Sequence, residues 1–455
     1  MKMKRLLTMV FLSIFLLLSG CNGTQQVESD PENIFYEGEL SVYYFDNPRS
    51  ARDVTFFSGA LERFQDENPD VNLKLTAFSD AEIMDQQLLT ELSSGAGPDV
   101  VLMQSSANSI DLLKASVNGY FYDITDHVEK EKTRHNYYEN AFDSGILLGR
   151  QYIMPLAANV MQIYTTKEKA AVYLPNLPEE YSAEDLLSSL AGAAKMVEAK
   201  EDVMALTYQY FYPESPSTYF MDWVRATGVD FIDMTNKQVV APKERLRILA
   251  EFVKNMQTDT AKEEGLLDRN YLTTIEDYIQ HGIGSSFYQD FIHMFGNFDY
   301  FASQLGEENY FLKIPTFEDS SKCSLLVSHY GVVNANTQNP DTAWGLLQRC
   351  VNYTPFNLDR QNISFQIHIS LNRDLNEAVF TYMNWSKNAD GSPFLSYATG
   401  KQIRDVFDTA SSWKIPNNVV DKIVEQALSP YFSGSKSFDD CFYDLESKLS
   451  IYINE

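Results

Sequence analysis

Apolar positions in the first part of the chain switch between two periods. Leu40-Ser41-Val42-Tyr43-Tyr44-Phe45 is a short, bulky run suited to a strand. Phe56, Phe57, Ala60, Leu61 and Phe64 follow at helical spacing, and Asn68-Pro69-Asp70 ends that helix. Val71, Leu73 and Leu75 alternate with Asn72, Lys74 and Thr76, which predicts a half-buried strand. Ile83, Gln87, Leu88 and Leu92 predict a second helix, stopped at Gly95-Ala96-Gly97-Pro98. Asp99 to Met103 then reads as a fully buried strand. Strands alternating with helices imply an α/β fold with a parallel sheet under covering helices. Ligands of such sheets sit beyond the carboxyl ends of the strands, which nominates Asp46-Asn47 and Gln104-Ser105-Ser106.

The other end of the chain is helical. Val419, Val420, Ile423, Val424, Ala427, Leu428, Tyr431 and Phe432 share one face, and Ser437 with Asp440 predicts a capping box before a stripe of Phe438, Cys441, Phe442, Leu445 and Leu449. Between Asp408 and Pro416 the pattern is polar and aperiodic around a single large ring, Trp413. This segment reads as a connection, so truncating Trp413 is expected to cost little stability.

The N-terminus carries a different signal. Lys2, Lys4 and Arg5 precede an apolar run from Leu6 to Leu18, too short for the roughly 20 residues that cross a bilayer but suited to a secretory signal. It ends in Leu18-Ser19-Gly20-Cys21, which resembles a bacterial lipobox. The expectation is a signal peptide over 1–20, then a lipidated Cys21 and polar tether over 21–37, anchoring the protein on the outer face of the cell membrane. Two or more acyl chains hold such an anchor stably, at about 0.8 kcal/mol per buried methylene.

Length and charge narrow the partners. A chain of 455 residues exceeds one ordinary core, so two lobes are expected. Removing Lys2, Lys4 and Arg5 with the leader takes the net charge from −27 to −30, which repels phosphate backbones and excludes nucleic acid as a natural partner. Aromatic content of 13% supplies a large core with rings to spare for a pocket. Beyond Cys21 only Cys323, Cys350 and Cys441 remain, expected as small buried hydrophobes. There is no Walker loop, dinucleotide fingerprint, Gly-x-Ser-x-Gly elbow or pair of histidines four apart. No cofactor, metal site or catalytic residue is therefore expected. A glycosidase, whose two carboxylates carry no local motif, stays open as an alternative.

Three segments resemble family 1 extracellular solute-binding proteins of bacterial ABC transporters, the maltose-binding-protein-like group. The first is Phe64 to Val71 with Leu92-Ser93-Ser94-Gly95-Ala96-Gly97-Pro98-Asp99-Val100-Val101. The second is Gly149-Arg150-Gln151-Tyr152-Ile153-Met154-Pro155-Leu156. The third is Gly331 to Asn336 with Asn339-Pro340 and Ala343-Trp344. The resemblance implies a two-lobed periplasmic-binding-protein-like fold with an interlobe cleft, and a monomer that hands a sugar or oligosaccharide to an ABC permease. By analogy the N-terminal lobe takes 38–153 and 282–325, and the C-terminal lobe 154–281 and 326–455, with hinges near 154–156 and 279–281. The ligand contacts it implies are Tyr44, Asp46, Gln104 and Ser105 in the first lobe, with Tyr208, Tyr210, Tyr288, Asp290 and Trp413 completing the cleft. Two further alternatives keep the fold: a cationic solute such as a polyamine held by Asp46 or Asp290, or a sensor that presents its ligand to a membrane kinase.

Overall fold

The computed structural model describes residues 36–46, 55–105, 110–131, 134–160, 162–199, 216–256, 284–286, 309–353, 369–385, 391, 393 and 395–455. Cys21, Tyr208, Tyr210, Tyr288, Asp290 and the expected hinge at 279–281 lie outside the described residues. Strands β1 (Gly38–Phe45), β2 (Val71–Phe78) and β3 (Val100–Gln104) come first. A small hairpin of β4 (Ile146–Leu147) and β5 (Arg150–Gln151) leads into β6 (Ile153–Asn159) and β7 (Gln162–Thr166). A second hairpin, β8 (Ile232–Asp233) with β9 (Gln238–Val239), is followed by β10 (Gly284–Ser286) and β11 (Asn309–Lys313). The last strands are β12 (Cys323–Val333), β13 (Ile369–Ser370) and β14 (Ala410–Lys414).

The strands build two bodies. The larger sheet runs β13-β6-β12-β3-β1-β2, with β14 also against β12. Its β2, β1 and β3 are parallel, as the alternation of elements predicts, and β12 lies antiparallel to both β3 and β6. The smaller sheet, β10-β7-β11, is antiparallel. Each sheet serves its own apolar cluster. The first gathers Leu40, Val42, Phe64, Leu102, Leu156, Tyr330, Leu347 and Phe407. The second gathers Ile163, Leu186, Phe220, Trp223, Leu249, Leu312, Val424 and Leu445.

The first and third family-like segments meet at the base of the larger sheet. Gly95 and Gly97 hold φ of 78° and 101°, conformations that side chains disfavour, and so let the chain turn tightly into β3. Asn334 Nδ2 donates to Ala96 O and Pro98 O, both at 3.0 Å. The Asp99 carboxylate accepts from Ser41 and from Thr337. The two segments are thus stitched together at the end of the sheet remote from the carboxyl ends of β1 and β3.

Several expectations need correction. Residues 326–333 are the C-terminal part of β12, whose two edges are taken there by β3 and β6. The described residues between 340 and 409 that are buried, from Ala343 to Phe407, pack into the first cluster, so they belong with the first body and not the second. Conversely β10 and β11 pair with β7 in the smaller sheet, so these parts of 282–325 belong with the second body. Met154 and Pro155 are inside β6 and paired with β12, which removes the hinge expected at 154–156. The chain passes between bodies at 159–163, at 314–323 and at 413–420, where neighbouring residues change cluster. β2 is an edge strand, and Leu75 is 46% exposed despite the alternating pattern. Ile83 is 58% exposed, because the helix Ala81–Ser93 buries Met84, Leu88 and Leu92 instead. Cys323, Cys350 and Cys441 are buried and unbridged, and burial pushes the Cys323 thiol up to about 11.

Candidate functional site

Polar groups collect where β1, β3 and β6 end. Asp46 follows β1, and its amide donates to Phe78 O at 2.7 Å, which fixes it beside the end of β2. One carboxylate oxygen, Oδ1, is buried without a hydrogen-bond partner among the described residues. Burial raises the Asp46 carboxyl above its ordinary range, against a lowering hydrogen bond from Thr55. Tyr44 is nearly buried, and its phenol is raised by that burial and then by the Asp46 charge. Gln104, the last residue of β3, pairs in register with His329 of β12. Ser105 is 8% exposed and donates through Oγ to Ser328 O at 3.3 Å.

Two groups that the periodicity and the family resemblance do not mark join this set. Asn159 ends β6 opposite Leu326, is 8% exposed, and its Oδ1 has no partner among the described residues. His329 is buried between Phe56 and Phe57, with ring centroids at 4.8 and 5.1 Å, and its Nδ1 lies 3.0 Å from Ser328 Oγ. A signal for Asn159 did exist. Residues 153–158 are an unbroken apolar run, and a buried amide closing such a strand needs a partner that the strand itself does not supply.

Trp413 is placed differently. It sits in β14, in register with Leu325, and is 4% exposed. Its ring packs at 5.5 Å from Tyr138 and 6.0 Å from Phe407. The aperiodic stretch is thus a strand and not a loose connection. A five-residue strand buried at one edge carries too few positions to display a period.

Trp413 also borders a cavity of about 490 Å3 between the two bodies. Leu112, Leu147 and Ile153 line it from the first body, and Val224, Phe231 and Ile232 from the second. Arg225 on this wall bonds Asp421 and, at 3.3 Å, Asp222. Burial pushes Asp222 up to about 7 against the lowering charge of Arg225, and it also raises Asp421. Lys414 donates to both carboxylate oxygens of Asp230 at 2.7 Å. The bodies are further tied by Tyr452, which donates to Asp111 at 2.9 Å and accepts from Asn417 at 3.2 Å.

The sheet-end group offers a carboxylate, a hydroxyl and amides without an assembled metal site. Among the described residues no cluster of His, Cys, Asp and Glu is arranged to hold a metal ion. Among the same residues no helix is long and apolar enough to cross a membrane.

A family model described as bacterial extracellular solute-binding protein matches residues 48–348. No curated protein sequence matches the chain. Among solved structures, the GacH receptor of Streptomyces glaucescens, studied unliganded and with acarbose, is 14% identical with a TM-score of 0.58. The match covers 92% of this chain and 100% of that one. The galacto-N-biose/lacto-N-biose I-binding protein of the Bifidobacterium longum ABC transporter, in complex with lacto-N-biose, is 12% identical with a TM-score of 0.57, covering 92% and 97%. A de novo designed cysteine esterase is 13% identical with a TM-score of 0.60, covering 92% and 98%. At these identities the likeness concerns the fold alone.

Proposed function

The chain belongs to the family of bacterial extracellular solute-binding proteins, and from that membership we propose that its solute is a carbohydrate, delivered to an ABC importer. The observation that carries the proposal is the group at the ends of β1, β3 and β6. Asp46 and Asn159 there hold buried acceptor atoms without partners among the described residues, beside the Ser105 hydroxyl. Sugar hydroxyls suit such acceptors, because a buried acceptor left unpaired costs about 1–3 kcal/mol and a hydroxyl relieves it. The sugars bound by the GacH receptor and the Bifidobacterium longum protein agree with this class of ligand.

In this reading Tyr44, Asp46, Gln104, Ser105 and Asn159 contact the solute from the first body, and Tyr208, Tyr210, Tyr288 and Asp290 from elsewhere in the chain. Trp413 takes part from the wall between the bodies. The protein works as a monomer, held at the membrane by acyl chains on Cys21, and carries out no hydrolysis. The crossovers near 160, 318 and 415 serve as hinges.

A thermal-shift screen of the mature protein against sugars, oligosaccharides and polyamines tests the ligand class. A ligand at 100 times its dissociation constant adds about 2.7 kcal/mol of stability. Stabilisation by an oligosaccharide supports the proposal. Stabilisation by a polyamine alone, or release of reducing sugar from the oligosaccharides, overturns it.

A further inference from the structure

Packing alone does not explain His329. It is 4% exposed in β12, paired in register with Gln104 at the end of β3, and its ring is walled by Phe56 and Phe57. A phenyl ring would fill that slot with no polar atom to desolvate. An imidazole buried there costs stability unless its nitrogens find partners. Its Nδ1 has one in Ser328 Oγ, at 3.0 Å.

Ser328 lies where the strand needs such a hook. The pairing of β12 with β6 is regular up to Val327 and again from Tyr330, but the register shifts on either side of His329. Irregularities of this kind release a peptide from the ladder and re-aim its groups. The Ser328 carbonyl accepts the Ser105 hydroxyl at 3.3 Å. With its proton committed there, Ser105 presents oxygen lone pairs to the site. That is the same acceptor character as Asp46 Oδ1 and Asn159 Oδ1. His329 also reaches the Asp46 side of the group, through the first turn of the helix Phe56–Glu67. The N-cap of that helix, Thr55, hydrogen-bonds Asp46 and closes a capping box with Ser58. One imidazole therefore touches the supports of both Ser105 and Asp46.

We infer, resting on the carbohydrate reading above, that His329 is a positioning residue for solute binding. Its Nδ1 holds Ser328, and the Ser328 carbonyl in turn fixes Ser105 as an acceptor for a solute hydroxyl. Enclosed between two phenyl rings, His329 acts through Ser328 and does not touch the solute.

The test is calorimetric titration of the mature protein with acarbose, lacto-N-biose and maltotriose, beside a thermal melt of each variant without sugar. His329→Phe keeps a ring between Phe56 and Phe57 but loses the nitrogen. His329→Asn loses the ring but carries an amide nitrogen as many bonds from Cα as Nδ1. The phenylalanine variant is expected to melt close to the parent and to bind at least tenfold more weakly, about 1.4 kcal/mol. The asparagine variant should melt lower yet keep most of the parent's affinity. Ser328→Ala should weaken binding as His329→Phe does, and the double variant should lose no more than either alone, because the two residues act on one path. A packing role gives the opposite pattern, with affinity intact in His329→Phe and lost in His329→Asn, and overturns the inference. Parental affinity in Ser328→Ala overturns it too, and decides the matter if His329→Phe does not fold. A parent that binds none of the three sugars brings down the carbohydrate reading and the positioning role with it. Sugar binding that the variants leave unaltered removes the positioning role alone.

Discussion

Trp413 Nε1 donates to Asn140 Oδ1 at 3.1 Å, while Asn140 Nδ2 donates to Ala410 O at 2.5 Å. One amide therefore holds both the ring and the backbone of β14, the strand by which the chain leaves the first body. Trp413→Ala removes a ring packed against Tyr138 and Phe407 and is expected to cost about 3–5 kcal/mol of stability. Asn140→Ala leaves the indole N–H unpaired and is expected to cost about 1–3 kcal/mol. Denaturant melts of both variants, with calorimetric titration of the solute, separate packing from binding. An unchanged melt in Trp413→Ala beside lost affinity would return the ring to a purely ligand-facing role.

Asp222 and Asp421 make stability depend on pH in an unusual direction. A folded-state carboxyl raised from 3.8 to about 7 binds a proton that the unfolded chain releases. Its contribution is thus most favourable below about pH 4 and declines as pH rises through 7. Because both acids share Arg225, they titrate as a pair. Asp222→Asn is expected to stabilise the protein at pH 8 by about 1 kcal/mol or more, because each tenfold change in proton affinity corresponds to about 1.36 kcal/mol. The gain should shrink steadily as pH falls below 7 and vanish only near pH 4, where the unfolded chain holds the proton as well. Paired melts across pH 5–8 check this, and parallel curves for the two proteins would refute it.

Much of the fold is legible where burial is one-sided and the run is long. The helices Asn418–Phe432 and Phe438–Asn454 bury the stripes their periodicity marks. The five-residue β3 shows as an apolar run, because both its faces are covered. The division into bodies is not legible, since the apolar runs of β6 and β12 are the same whether the strands lie in one sheet or two. Only their pairing, from Ile153↔Val332 to Asn159↔Leu326, reveals it. The candidate site follows the same rule. The positions of Asp46 and Ser105 at strand ends are readable from the pattern, whereas His329 is hidden inside a β12 whose residues are buried almost throughout.

Closure about the three crossovers is expected on binding. A solute that touches both bodies favours the arrangement that brings them together, by its difference in affinity for the two states. Small-angle scattering with saturating solute should give a smaller radius of gyration than without. An unchanged radius beside calorimetric proof of binding removes the hinge proposal while leaving the solute proposal standing.

The proposed anchoring would use Cys21, which follows a short apolar run. Cys21→Ala should yield a protein without acyl chains, recovered mainly from the medium, because loss of both chains removes the stable attachment. Mass spectrometry of the membrane fraction checks the outcome. A variant that stays on the membrane with the same acyl mass would place the anchor elsewhere.

Asn159 offers the sharpest separation of binding from folding. Its amide closes the apolar strand β6, and its buried Oδ1 lacks a partner among the described residues. An acceptor in that state costs stability in the free protein and regains it when a donor arrives. A sugar hydroxyl at the sheet end is such a donor. Asn159→Ala removes the desolvated acceptor, so the unliganded variant should melt at the same temperature as the parent or slightly higher. The same change should weaken solute binding at least tenfold, which is about 1.4 kcal/mol. A purely structural amide predicts the reverse, a lower melt with affinity intact. Asn159→Asp sharpens the distinction, since a carboxylate keeps the acceptor and should retain most of a hydroxyl's hydrogen bond. If the alanine and aspartate variants bind equally well, Asn159 makes no contact with the solute.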